Sequence, residues 1–237
     1  MPNDDMKVIT IMTRKGGAGK TMLTRALTSA ALAQGKTCLV LDADPQQALF
    51  RWAEKLQLTH PGFKIEKLAT ASEFEARVEA AYEEGATDYI FVDTLGAAGA
   101  WADDLAALSD ALVVPMMLSN DDMEITNDTY KWYENLRDRT DDPENLPALQ
   151  IVLSKVPSRQ SKTEVEIEKE ALRRFPVMED YFMERKQHKD AASFGFLHVL
   201  ADERRNSDNG LLRSHAKHYD EAIEEATSIL AEILRTA

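Results

Sequence analysis

The 237-residue chain has a single cysteine, Cys38, so no disulfide can form within it. Cys38 lies in the apolar run "TCLVLDA", where the expectation is a buried, reduced thiol in a cytoplasmic protein. Long hydrophobic runs are also missing: no stretch approaches the roughly 20 apolar residues that span a bilayer. The opening "MPNDDMKVIT" is polar and acidic, unlike an apolar targeting segment. The five histidines show no ligand spacing with cysteines or carboxylates, and His215 and His218 are expected on a solvated helix face. A metal site built from protein ligands alone is not expected. Positive charge is scarce too, with 28 Lys/Arg against 41 Asp/Glu and a formal net charge of −13. That balance opposes uniform attraction to nucleic acid or anionic lipid.

The charge is unevenly spread. Residues 155–217 hold 13 basic and 11 acidic side chains, whereas the remainder holds 15 basic and 30 acidic. A locally basic surface on an acidic body is one reading, and an ordinary solvated face is the other.

At 44% hydrophobic residues the chain can bury one sizeable core, so a single domain over 1–237 is expected. Short apolar, β-branched runs alternate with helical patterns. "KVITIMT", "KTCLVLDAD", "FKIEKL", "DYIFVDT", "DALVVPMM" and "ALQIVLSKV" read as strands. Several are apolar on both faces, as a covered parallel sheet requires. Between them, "GKTMLTRALTSAALAQG" carries Leu23, Ala26, Leu27, Ala30 and Ala31 on one helical stripe and stops at Gly35. "PQQALFRWAEKL" follows the second strand as another helix. Ser72 with Glu75, and Ser161 with Glu164, have capping-box spacing, and the helix after Ser161 is expected to end at Pro176. The last helix, "HYDEAIEEATSILAEILRT", has a stripe of Ala222, Ala226, Ile229, Leu230, Ile233 and Leu234. Its polar face is glutamate-rich, so docking on the sheet suits it better than a membrane surface. The alternation predicts a doubly wound α/β fold with helices on both faces of a mostly parallel sheet and ligands at the strands' carboxyl ends.

That fold puts "TRKGGAGKT" between the first strand and the first helix. Glycines there let backbone N–H groups face phosphate oxygens, and the helix N-terminus favours negative charge. Lys20 would reach the β- and γ-phosphates, and the Thr21 hydroxyl would ligate Mg²⁺. Arg14 occupies the place of the usual first glycine, and Lys15 is an additional cation. "LVLDADPQQ" sets Asp42 and Asp44 at one strand end, and "YIFVDTLGAAG" sets Asp93 at another. Taken singly, each aspartate reads as a helix cap or turn residue. Taken with the loop, Asp93 suits an outer-shell role toward Mg²⁺, Asp44 suits orientation of the attacking water, and the Gly96 N–H could sense a γ-phosphate.

The stretch from Lys15 through Gly16, Gly17, Ala18, Gly19 and Lys20 to Thr21 resembles the deviant phosphate loop K-G-G-x-G-K-[ST] of the ParA/MinD ATPases. "LDADPQQ", "DYIFVDT", "DALVVPMMLSNDD" and "ERKQHKDAASFG" are similar to further segments of that family, so the likeness spans most of the chain. "LFRWAEK", "DTLGAAG" and "VPSRQSK" look closest to the VirC-type branch of T-DNA and conjugal transfer. The resemblance implies a P-loop ATPase using ATP and Mg²⁺ that forms an ATP-dependent homodimer. In that dimer Lys15 would cross to the partner's phosphates. Met22 departs from the Ser or Thr of relatives and removes a hydroxyl contact to the α-phosphate. Lys155 to Pro157 fall where a base-contacting loop would lie.

Two function classes follow. In one, the ATP dimer binds DNA nonspecifically through Arg185, Lys186, Lys189, Arg204 and Arg205, and a ParB-like or cargo-bound partner stimulates hydrolysis. In the other, the chain is an ATP-switched adaptor or MinD-like positioning factor that does not bind DNA. A cytoplasmic location, nucleoid-associated if DNA is bound, and no membrane partner are expected. A hydride-transferring enzyme is disfavoured because no G-x-G-x-x-G follows the first strand. A metabolic kinase is disfavoured by Lys15 and by the lack of a lid-like arginine cluster.

Overall fold

The computed structural model describes residues 2–14, 16–94 and 101–237. Seven strands form one parallel sheet: β1 (Lys7–Ile11), β2 (Cys38–Ala43), β3 (Phe63–Lys67), β4 (Tyr89–Thr94), β5 (Ala111–Met116), β6 (Ala148–Val156) and β7 (Phe182–Met183). Their spatial order is β3-β2-β4-β1-β5-β6-β7. The helices are α1 (Lys20–Ala33), α2 (Ala48–Lys55), α3 (Ala71–Glu84), α4 (Ala102–Ala107), α5 (Asn120–Arg139), α6 (Lys162–Arg174), α7 (Lys186–Phe194), α8 (Leu197–Arg205) and α9 (Gly210–Leu234).

Period-two alternation explains why the strands are apolar on both sides. Ile9, Ile11, Val40, Phe91, Val113 and Val152 face a core shared with α1, α2, α8 and α9. Their neighbours Leu112, Val114, Ile151 and Leu153 face a second core built with α5 and α6. Val8, Leu41, Ile90 and Val92 join a third with α3 and α4. Pro115 is tolerated in β5 because β1 pairs with that strand only as far as Val113, so no N–H is missed on that side.

The α9 stripe docks as expected, with Ala222, Ala226, Ile229 and Ile233 fully buried against α1 and α8. Each large aliphatic side chain buried this way contributes about 1.5–3 kcal/mol. The helix begins at Gly210, eight residues before the expected start, capped by the Asn209 side chain on the Leu211 N–H at 2.9 Å. Cys38 is buried, and His215 and His218 are exposed, as read from sequence.

Two caps had equal spacing in the sequence and different outcomes. Ser161 and Glu164 form a reciprocal capping box, and α6 stops at Arg174 because Phe175, before Pro176, is extended. At α3 the cap is not Ser72 with Glu75. Thr70 accepts the Glu73 N–H at 3.1 Å, while Glu73 accepts the Ala69 N–H at 2.9 Å. The same pattern two residues earlier wins because it satisfies orphan donors in a longer helix.

Helix α5 was not anticipated. Its buried face includes Asp122, Thr126 and Thr129, so the stripe does not read as apolar. Helices α4, α7 and α8 and the two-residue β7 also went unread, being too short for a clear periodicity.

Candidate active site

Beside the central strand β1, the chain leaves the sheet and turns through Gly16, Gly17 and Gly19 into α1. Gly17 has φ +94° and Gly19 φ +100°, a backbone that L side chains rarely adopt. At Gly19 there is also no room: a Cβ would lie 2.7 Å from Ser154 Oγ. β6 clamps the loop from that side. Ser154 Oγ donates to the Ala18 carbonyl at 2.9 Å, and Lys155 Nζ donates to the Gly17 carbonyl at 2.7 Å. Lys155 can reach it because the β6–β7 register slips between Ser154 and Val156, leaving Lys155 as a bulge residue at φ +52°.

The loop opens on a cleft of about 600 Å³ lined by Gly16, Gly17, Gly19, Lys20, Thr21 and Met22. Arg25, Asp44, Gln46, Ala48 and Lys155 complete the described lining. Thr21 Oγ1 donates to Asp93 Oδ2 at 2.7 Å, joining the first turn of α1 to the end of β4. Asp93 is buried, and its Oδ1 has no hydrogen-bond partner among the described residues. Burial pushes the Asp93 carboxyl up to about 7, opposed by the Thr21 hydroxyl and reinforced by Asp42. Lys20 is buried as well. Desolvation pulls its ammonium below the usual range, while Asp93 and Asp44 pull the other way.

The two aspartates of "LDADPQQ" separate cleanly. Asp42 is buried, and its Oδ2 accepts the N–H groups of Leu49 at 3.0 Å and Phe50 at 2.8 Å. It therefore caps α2, whose own N-cap residue Gln47 is left-handed and makes no side-chain cap. Burial raises the Asp42 carboxyl, and these backbone donors lower it in part. Asp44 is half-buried, faces the cleft, and uses Oδ1 for the Gln46 N–H at 2.8 Å.

Most of the expected loop residues thus meet in one place. Ala18 is buried beneath the loop and does not line the cleft. Pro157 is half-buried just beyond β6 and is not part of the described lining either. Lys15 and Gly96 lie outside the described residues. Arg25 was missed: it reads as an ordinary α1 surface residue, and only the packing of α1 against α2 brings it to the cleft.

The five cationic residues, Arg185 just before α7 and the other four on α7 and α8, come together only in part. Lys186 and Arg204 line a separate cavity of about 330 Å³ with Gln187, Asp190, His215 and His218. The Arg204 guanidinium stands 5.9 Å from the Tyr219 ring centroid. The others are partnered by carboxylates. Arg185 donates to Glu225 at 2.9 Å and Glu221 at 3.4 Å, Lys189 to Glu184 at 3.0 Å, and Arg205 to Asp220 at 2.6 Å. Arg205 also meets Asp202.

No helix among the described residues is long and apolar enough to cross a membrane.

Comparison with known proteins gives this geometry a context. The family model described as VirC1 protein matches residues 6–237. Protein virC1 of Rhizobium rhizogenes is 28% identical over 234 residues, covering 97% of this chain and 99% of the relative. Protein virC1 of Rhizobium radiobacter is 30% identical over 198 residues, covering 82% and 84%. Among solved structures, the ATP complex of Cyanothece McdA superposes with a TM-score of 0.66 at 18% identity, covering 93% of this chain and 97% of that one. The pnob8 ParA structure gives 0.62 at 17%, covering 98% of both. MinD of Aquifex aeolicus gives 0.62 at 18%, covering 95% and 98%. At such identities the likeness is one of fold: a parallel seven-stranded sheet with flanking helices, of the ParA/MinD kind.

Proposed function

The chain belongs to the VirC1 family, and from that premise we propose that it is a ParA-type ATPase that hydrolyses ATP to ADP and phosphate. It binds ATP with Mg²⁺, dimerises in that state, and binds DNA without sequence preference to position or partition a cargo. The cargo is a plasmid, a DNA-transfer complex or a protein assembly, and a ParB-like or cargo-bound protein stimulates hydrolysis. The observation that carries the reading is the convergence of Lys20, Thr21 and Asp44 on one glycine-walled cleft at the carboxyl end of the sheet, with the buried Asp93 held against the Thr21 hydroxyl behind it.

The residues fit the cofactors. Asp93 Oδ1 is an orphaned buried acceptor beside a hydroxyl, which suits a hydrated cation held by Thr21 and, through water, by Asp93. When bound, Mg²⁺ neutralises charge on the phosphate oxygens. Lys20 supplies a desolvated cation, stronger toward a phosphate than one in water. Asp44 accepts a hydrogen bond from the attacking water and orients it toward the terminal phosphate. Lys15 and Gly96 carry the roles the family resemblance implies, the first across the dimer and the second at the γ-phosphate. Lys155 and Pro157 remain the proposed base-side contacts, which requires Lys155 to leave the Gly17 carbonyl when nucleotide enters.

For DNA, Lys186 and Arg204 are the central pair, because they share a cavity with two exposed histidines. A second reading, the ATP-switched adaptor, is favoured by the ion pairs that occupy Arg185, Lys189 and Arg205.

Both readings are tested by sedimentation and DNA binding of the purified protein with ATP, ADP and no nucleotide, at two salt concentrations. The expected result is DNA binding with ATP alone, weakening steeply with salt. An ATP-dependent dimer that ignores DNA at low salt selects the adaptor. Failure to bind ATP at all removes the ATPase reading.

A further inference from the structure

Four residues beyond Thr21, Arg25 lies on the same side of α1 and reaches the cleft. Its guanidinium carbon is 4.9 Å from the centroid of the Trp52 ring on α2. That platform is itself fixed, since Trp52 Nε1 donates to the Ala191 carbonyl at 3.0 Å and the ring meets Phe196 edge-on at 5.6 Å. The Arg25 Nε is buried and has no hydrogen-bond partner among the described residues. An unsatisfied buried donor on a cation is costly unless something else completes it. Arg25 shares the cleft lining with Asp44, the residue proposed above to orient the attacking water, and it lies close enough to Asp93 and Asp42 to feel both carboxylates.

We propose that Arg25 is a nucleotide-positioning residue, a second cation within the same chain that hydrogen-bonds the terminal phosphate of a bound nucleoside triphosphate. The proposal rests on the ATPase reading above. A planar guanidinium offers paired donors that match phosphate oxygens, and the indole behind it limits the freedom lost on binding. Burial depresses the guanidinium's proton affinity, and Asp93 and Asp42 oppose this. The group therefore sits in a partly desolvated place already shaped by charge. Lys20 approaches the phosphates from the loop, and Arg25 approaches from the gap between α1 and α2.

The test compares wild type with Arg25→Met, which keeps apolar bulk over Trp52, and with Arg25→Lys. Affinities for ATP and ADP are measured with Mg²⁺ present, alongside melting temperature and the kcat and KM of hydrolysis. The expected result is about a tenfold or greater loss of ATP affinity in Arg25→Met, as for a lost charge-assisted hydrogen bond. ADP affinity should change less than twofold, and Arg25→Lys should recover part of the ATP affinity. Equal losses for ATP and ADP with a lowered melting temperature would reduce Arg25 to a packing partner of Trp52 and overturn the proposal. Unchanged affinities in Arg25→Met would overturn it too, while leaving the ATPase reading intact. Absence of ATP binding by the wild type brings down both, and is told apart by the control itself.

Discussion

The backbone N–H of Asp44 donates to Asp42 Oδ1 at 3.1 Å, so the buried aspartate fixes how its neighbour leaves the strand. One carboxylate is thereby committed to structure and the other left facing the cleft. Asp42→Ala should lower stability by about 2 kcal/mol or more, since the Leu49, Phe50 and Asp44 N–H groups lose their acceptor. Asp44→Ala should melt close to wild type yet hydrolyse ATP about a hundredfold more slowly. Denaturant titration and turnover on both variants decide the matter; a stable, inactive Asp42→Ala would reverse the assignment.

Gly19→Ala combines a φ of +100° with a Cβ 2.7 Å from Ser154 Oγ, whereas Gly17→Ala, at φ +94°, meets nothing within 4 Å. Backbone strain alone costs about 1–2 kcal/mol. Gly19→Ala should therefore weaken nucleotide binding more than Gly17→Ala does. Adding Ser154→Ala should return part of the loss, because it removes the atom in collision. Calorimetric ATP titration of the three variants is the check, and no recovery in the double variant would show that strain outweighs the collision.

His198 links acid to unfolding. Burial, with the neighbouring His60 ring acting in the same direction, lowers its imidazole from 6.5 to about 4, and Asp202 opposes this. Between those values the unfolded chain binds a proton that the folded one refuses, so stability rises with pH there. The contribution is complete above about pH 6.5 and is lost as pH falls toward about 4. His198→Phe keeps a ring beside Phe196 and removes the titration. The difference in melting temperature between pH 7.5 and pH 5 should shrink in this variant, and an unchanged difference would exclude His198 as its source.

The cationic segment predicts unequal charge reversals. Lys186→Glu with Arg204→Glu should abolish DNA binding in the ATP state, since both line the open cavity. Arg185→Ala should do less to DNA and more to stability, because its guanidinium answers Glu225 and Glu221. Each lost phosphate contact should flatten the logarithmic salt slope by about 0.9. Equal slopes for the Lys186, Arg204 variant and wild type would place the DNA surface elsewhere.

The sequence by itself determined the features whose causes are local. Alternating apolar runs made the strands, the glycines and GKT ending made the phosphate loop, and Ser161 with Glu164 made the α6 cap, because each depends on residues a few positions apart. Two equivalent T/S-x-x-E patterns overlap at the start of α3, and the sequence had no means of choosing Thr70 over Ser72. The sequence already pointed to Asp44 for the attacking water, but tertiary structure alone gave Asp42 its role, since that turns on N–H groups delivered by α2 to a buried position. It decided that Lys155 braces Gly17, 138 residues away, through a bulge that exists only once β7 pairs with β6. It also set Arg25 against Trp52 and answered Arg185 with two glutamates from α9. The reason is the same throughout: desolvation and charge pairing depend on what the fold brings near, and spacing along the chain does not record it.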